Sequence, residues 1–217
     1  MTENIKHHLT DELLMAYSAG SLPEAFNLMV ATHLSLCDAC RAQAEAFDSV
    51  GGAVLECNSD DCAPMSEDAL DAILGRIDSA VPQTTPAKPS CSVLPAPLRD
   101  YVGGTVDSIR WKPVGMGVKQ AILPTSSSAS ARLLLIPAGA AVPDHGHKGT
   151  ELTMVLQGAF SDEVDRFARG DVEVADEDLE HMPVADIGED CICLAVTDAP
   201  LRFNSWLPRL AQPFLRI

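Results

Sequence analysis

Basic residues are in short supply. Fifteen Lys and Arg stand against 31 Asp and Glu, a formal net charge of −16 over 217 residues. A surface so acidic repels a polyphosphate, which argues against nucleic acid as a direct partner. Long apolar runs are also missing. None approaches the ~20 residues that a membrane helix needs, so no membrane association is expected. The N-terminal run MTENIKHHLTDELL has neither a secretory hydrophobic region nor an Arg-rich transit pattern, and the expected location is the cytoplasm. Seven cysteines, an odd number, exclude a full disulfide framework. In a reducing compartment, clustered cysteines bind metal or react more often than they staple a fold.

Hydrophobic residues make up 47% of the chain and charged residues 21%, an ordinary globular composition with room for one large core or two small ones. The charge is uneven. Residues 1–85 carry three Lys and Arg against fourteen Asp and Glu, while residues 86–217 carry twelve against seventeen. The acidic first part suits a basic protein surface, although acidity also serves solubility alone. Residues 79–97 hold five prolines and little periodic hydrophobicity, the composition of an extended linker. The expected organisation is a helical domain over 1–80, a Pro-rich linker over 81–97 and a second domain over 98–217.

The patterns before the linker are helical. Thr10 can cap a helix opened by Asp11 and Glu12 and closed by Gly20. Ser21 and Glu24 form a capping box before Leu22, Phe26, Met29, Val30, His33 and Leu34 at helical spacing. Asp38 can start a third helix ending at Gly51-Gly52. Ser66 can cap a fourth, with Leu70, Ile73, Leu74 and Ile77 on one face. Residues 52–65 lack periodicity and read as an irregular connection. After the linker, short apolar runs (ARLLLIPAGA, ELTMVLQGAF, DCICLAVT, LRFNSWL) alternate with Gly, Pro and Asp-rich turns. Strands at such spacing predict an antiparallel barrel or sandwich.

HLSLCDACR, residues 33–41, sets His33, Cys37 and Cys40 at H-x3-C-x2-C. Zinc takes four nitrogen or sulfur ligands in a tetrahedron, and thiolate with imidazole is a usual mixture. His33 and Cys37 lie one helical turn apart, and C-x2-C lets two thiolates converge across a tight turn. The alternatives are a buried histidine beside two unbonded thiols, or a Cys37–Cys40 redox dithiol; the latter belongs after a strand, and this pair lies between helices. A fourth ligand must come from elsewhere, with His7, His8, Cys57 and Cys62 as candidates.

The run HHLTDELLMAYSAGSLPEAFNLMVATHLSLCDACR, residues 7–41, resembles the zinc-binding anti-sigma domain that regulates ECF-type RNA polymerase sigma factors. That family has a histidine directly before the first helix, then H-x3-C-x2-C. Its Leu…Ala-Tyr…Gly-x-Leu stretch is matched by Leu14, Ala16, Tyr17, Gly20 and Leu22. The resemblance selects His8 as the fourth ligand. It implies a four-helix zinc-binding module, its fourth helix mobile, that wraps a sigma factor and masks its polymerase-binding surfaces.

In the second half, GAAVPDHGHKGTELTMVLQG places Gly139, His145, His147, Glu151 and Gly158 at the fixed positions of the first cupin motif, which it resembles throughout. On a strand, His145 and His147 point to one face, and Glu151 can return to that face after the Lys148-Gly149 turn. Such donors suit Zn, Mn, Fe or Ni; a solvated histidine pair is the plain alternative. The second cupin motif is matched in part. Gly170 and His181 hold their places, while Asp176, Asp178 and Ala185 replace its Pro, Gly and Asn. The resemblance makes His181 the fourth ligand in a cupin β-barrel or jelly roll, with Glu177 or Glu180 close enough to displace a ligand or support one. A metal cupin can also be an enzyme, a dioxygenase or isomerase, although no arginine or lysine is obviously placed as a substrate clamp and only Arg132 and Arg166 stay open for that role.

Cys191 and Cys193 alternate on an expected strand and read as small core hydrophobes, or else as an oxidant-sensitive pair or a metal ligand near the histidine site. Cys57, Cys62 and Cys91 have no assigned role, and Trp111 and Trp206 read as core or rim aromatics. A zinc-binding helical module joined to a cupin is the organisation of ChrR-like anti-sigma factors, and this resemblance spans nearly the whole chain. It implies a non-enzymatic regulator in a 1:1 complex with an ECF sigma factor. It also implies a sensory cupin holding a divalent metal, expected to be zinc, that releases the sigma factor under stress such as reactive oxygen. A cupin metalloenzyme with a helical docking domain is the alternative, and a direct zinc-finger DNA binder is disfavoured by the acidic first domain.

Overall fold

The computed structural model describes residues 5–57, 65–78, 93–143, 145–146, 148–176, 180–199 and 202–203. Helix α1 (Asp11–Ser18) starts as expected. Thr10 Oγ1 accepts the Leu13 N–H at 3.4 Å, and Asp11 and Glu12 sit in the positive first turn. Helix α2 (Glu24–Leu34) does not use the expected capping box. Ser21 Oγ donates instead to the Ala16 carbonyl at 3.1 Å, closing the turn after α1, and Pro23 holds the cap position with no side-chain bond. Released from capping, the Glu24 carboxylate accepts the Tyr101 hydroxyl at 2.7 Å and the Ser126 N–H at 2.6 Å.

Helix α3 (Asp38–Cys57) runs past Gly51-Gly52, where the sequence suggested a stop. Each glycine costs about 1 kcal/mol against alanine without imposing a break, and both stand in open space. Helix α4 (Ala69–Asp78) follows Ser66, whose carbonyl accepts the Ala69 N–H. A fifth helix, α5 (Ala96–Val102), begins inside the last two positions of the expected linker. Proline is tolerated at a helix start, so the prolines that read as linker there open a helix, which Gly103 at φ 78° then ends.

Past a short 3-10 turn at Val106–Ser108, the strands among the described residues form antiparallel sheets. The main sheet has the order β1 (Lys112–Gly115), β2 (Val118–Leu123), β3 (Ser130–Ile136), β11 (Cys191–Thr197), β5 (Glu151–Gln157), β8 (Val172–Ala175). One three-stranded sheet joins β10 (Val184–Ala185), β6 (Ala159–Ser161) and β7 (Arg166–Ala168). Another joins β12 (Arg202–Phe203), β4 (His145–Gly146) and β9 (Glu180–His181). The apolar runs of the sequence thus fall on β3, β5, β11 and β12, while 204–217, with Trp206, lie outside the described residues, as do Cys62 and Cys91.

Alternation divides the main sheet into two faces. Ala131, Leu133, Leu152, Met154, Leu156, Ile192, Leu194 and Val196 share one buried cluster with Phe26, Met29, Val30 and Leu98 of the helices. Val155, Ile136, Cys191 and Cys193 face the other way, into a second cluster with Phe160 and Phe167 inside the barrel. Helix α2 packs on β3, β5 and β11. Its buried residues surround the axis, as a helix enclosed by other elements requires. No helix among the described residues is long and apolar enough to cross a membrane.

Candidate metal centres

The first centre forms where α2 ends and α3 begins. The Cys37 N–H donates to the His33 carbonyl at 2.9 Å, a last helical turn that stacks the two side chains. Cys40 comes one turn into α3. The metal-binding atoms of His8, His33, Cys37 and Cys40 all lie within 4.8 Å of one another. Cys37 Sγ and Cys40 Sγ lie 3.3 and 3.5 Å from His8 Nδ1, and His33 Nε2 lies 3.3 Å from Cys40 Sγ. Metal–ligand bonds of 2.3 Å to sulfur and 2.0–2.1 Å to nitrogen give a tetrahedral edge of about 3.6 Å. The four donors fit one ion.

His33 is fully buried, and burial pushes its pKa down to about 4, so it is neutral near pH 7. Its Nδ1 lies 3.0 Å from the Gly170 carbonyl, which can only accept. The proton therefore sits on Nδ1, and the Nε2 lone pair faces the thiols. Burial pushes the Cys40 thiol up to about 11, with Cys37 and Asp11 adding to the rise. Burial keeps a thiol here from ionising alone, and a metal held by these donors would supply the charge that favours the thiolate form. His7 faces elsewhere. Its ring packs on Phe167 at 4.3 Å, and Nε2 lies 3.1 Å from Asp165. The choice between adjacent histidines thus falls on His8.

The barrel holds the second set. Gly158 at φ 70° and Gly170 at φ 89° make the tight turns that their motif positions demand. His145 on β4 pairs directly with His181 on β9. Glu151, buried, opens β5 and accepts the Thr153 hydroxyl at 3.3 Å. His147, Asp178 and Glu177 lie outside the described residues. Two carboxylates that sequence reasoning missed stand beside His181. Its Nδ1 lies 2.8 Å from Glu173 Oε1 and 3.5 Å from Asp162 Oδ2. The three form a buried group whose metal-binding atoms lie within 4.8 Å of one another. Burial disfavours the charged imidazole, yet the Glu173 hydrogen bond and charge, with Glu151 and Asp162, outweigh it and raise the His181 pKa. Glu173 itself is pushed up to about 7, chiefly by burial.

Arg132 is buried in the barrel, with Nη1 donating to Gln120 Oε1 at 3.4 Å, and Arg166 is an exposed partner of Asp186. Cys191 and Cys193 are free, fully buried thiols with sulfurs 3.5 Å apart, and their hydrogen bond and burial hold the Cys193 thiol well above its usual range. Cys57 ends α3, exposed.

A family model described as the ChrR cupin-like domain matches residues 100–200. The Anti-sigma-E factor ChrR of Cereibacter sphaeroides is 59% identical over 215 residues, covering 98% of this chain and 99% of its own. The chain belongs to the ChrR family of anti-sigma factors. A ChrR chain from Rhodobacter sphaeroides, solved in complex with SigE, is 55% identical. The match covers 90% of this chain and 100% of that one, with a TM-score of 0.75. Membership in the ChrR family makes the chain a regulator and leaves the metalloenzyme alternative without support.

Proposed function

We propose that this protein is a cytoplasmic anti-sigma factor. Residues 1–80 bind an ECF-type sigma factor one to one and hold transcription off, and residues 98–217 sense the stress that ends the inhibition. The observation that carries this reading is the near full-length likeness to a ChrR chain whose solved structure is a complex with SigE. A second feature agrees with it. Leu70, Ile73, Leu74 and Ile77 line one face of α4 and are 47–63% exposed, while Val50, Val54 and Leu55 of α3 are 56–76% exposed. Apolar side chains uncovered at helical spacing suit a protein partner.

The ion at His8, His33, Cys37 and Cys40 is zinc, which mixed thiolate and imidazole donors favour. When bound it supplies the charge that two buried thiols need and ties the segment before α1 to α2 and α3. The barrel holds a divalent metal, zinc, with His145, His147, Glu151 and His181 as ligands, and this site is sensory. His181 receives the support a ligand needs, since a carboxylate holds its other ring nitrogen.

The test is co-expression of the full chain with each ECF sigma factor of its host. A 1:1 complex that blocks transcription is expected with one of them. Failure to associate with every one overturns the reading.

A further inference from the structure

Two histidines, one in each candidate centre, lean on the same short stretch of chain. His33 Nδ1 donates to the Gly170 carbonyl at 3.0 Å, and His181 Nδ1 lies 2.8 Å from the Glu173 carboxylate. Gly170 and Glu173 stand at the turn between β7 and β8 and on β8.

This stretch has little freedom. Gly170 donates to the Val155 carbonyl at 2.8 Å, and Val155 donates back to the Asp171 carbonyl at 3.1 Å, fastening the turn to β5. Asp171 is 2% exposed. Its Oδ1 accepts the Lys6 and His7 N–H groups at 2.7 and 2.9 Å, and Oδ2 accepts the Ala168 N–H at 2.9 Å. Val172 donates to the His7 carbonyl at 3.2 Å, so the turn also grips the residues just before His8. On the barrel side, Glu173 is backed by Asp162. The Val164 and Asp165 N–H groups hold Asp162 Oδ1 at 2.9 and 3.0 Å. Asp162 Oδ2 is buried, and no N–H or hydroxyl donor bonds to it among the described residues.

We infer that Gly170–Glu173 is a positioning segment shared by both metal sites, Gly170 orienting His33 and Glu173 orienting His181, so that occupancy of one site alters metal affinity at the other. The inference rests on His181 being a barrel ligand. A carboxylate accepting Nδ1–H fixes the tautomer with the Nε2 lone pair outward and makes that nitrogen a better donor, and losing such a partner costs roughly 10–100-fold in metal affinity. A ligand that pulls on His181 loads Glu173, and β8 carries the load into the turn that holds His33. Coupling of this kind is reciprocal.

The test uses the full chain titrated with Co(II) against a chelator. Read in a C191S/C193S background that removes the barrel thiols, the thiolate-to-cobalt band reports the Cys37–Cys40 site alone. Two readings are expected. E173L weakens the barrel site about 10–100-fold and E173Q less, since its amide oxygen still accepts. The midpoint of the thiolate band shifts between the chain with a loaded barrel and H145A, whose barrel stays empty, and E173L loses the shift. Wild-type barrel affinity in E173L overturns the positioning role. A thiolate midpoint indifferent to barrel occupancy overturns the coupling. Retention of barrel metal in H145A with its loss in E173Q makes Glu173 a ligand and also overturns the inference. A wild-type chain that takes up one equivalent of metal instead of two overturns the barrel-metal reading itself, a result distinct from the others. Should E173L fail to fold, E173Q carries the comparison.

Discussion

The Tyr101 hydroxyl donates to the Glu24 carboxylate at 2.7 Å across 77 positions of sequence, bonding the first residue of α2 to α5. The same hydroxyl lies 2.6 Å from the Pro124 carbonyl, so the contact joins two helices and the loop between β2 and β3. The Tyr101 and Ser126 bonds hold Glu24 below the usual carboxylate range, while burial, then the Glu24 bond and charge, push Tyr101 up to about 12. The depressed carboxyl contributes stability present above its unfolded pKa and lost as pH falls through the lower folded value. The raised phenol contributes stability present below pH ~10 and lost as pH rises through about 12. Y101F should lower the melting temperature by roughly 2 °C near neutrality. The gap from the wild type should narrow in acid, below the ordinary glutamate range, to the part that the Pro124 contact contributes. Melting curves against pH check this, and a gap that does not narrow in acid refutes the assignment to Glu24.

Removing the first metal should unmake the helical domain rather than trim it. Structural zinc contributes ~10–16 kcal/mol in small domains, more than the packing of α1 and α3 alone can replace. Chelation, C37S or C40S should therefore lower the melting temperature by more than about 10 °C. Sigma binding should disappear together with the metal. Calorimetry and metal analysis read both effects. Tight sigma binding by metal-free C37S would show that the ion is not structural.

Two glycines separate backbone strain from crowding. Gly20 at φ 66° has open space where a Cβ would stand, so G20A meets strain alone, about 1 kcal/mol. Gly158 at φ 70° has the Asp190 carbonyl oxygen 3.0 Å from that Cβ position and Cys191 Cα at 3.2 Å, both backbone atoms that cannot swing away. G158A should cost clearly more than G20A in denaturant unfolding, and equal costs would contradict the packing of the β5–β6 turn on β11.

The first centre was legible in sequence because one turn of helix and a C-x2-C loop place His33, Cys37 and Cys40 together locally. Spacing left His7 and His8 open; the family resemblance chose His8, and the fold agrees, since Phe167 and Asp165 claim the His7 ring. Asp162 and Glu173 were invisible for a different reason. They come from the loop after β6 and from β8, and only the closing of the barrel brings them to His181. Their residue types carry no local signal, because exposed acids are common throughout this chain. Helix α5 was hidden by its prolines, and the Ser21–Glu24 box failed because Tyr101 and Ser126 compete for the same carboxylate.

The α4 stripe and the inter-element core carry opposite expectations. Leu194 is fully buried among α2-facing residues of β11, so L194A should cost about 2–5 kcal/mol of fold stability. Sigma affinity should stay near wild type at temperatures where that variant is folded. Ile73 and Leu74 are 49% and 47% exposed, and charge placed there meets water rather than core. I73D and L74D should each stay within about 0.5 kcal/mol of wild-type stability. Against a partner the same changes desolvate a carboxylate in an apolar contact, at roughly 2 kcal/mol or more per hot-spot residue. The double variant should thus bind its sigma factor at least about 100-fold more weakly while melting normally. Unchanged affinity in I73D/L74D would remove α4 from the interface and leave its apolar face unexplained.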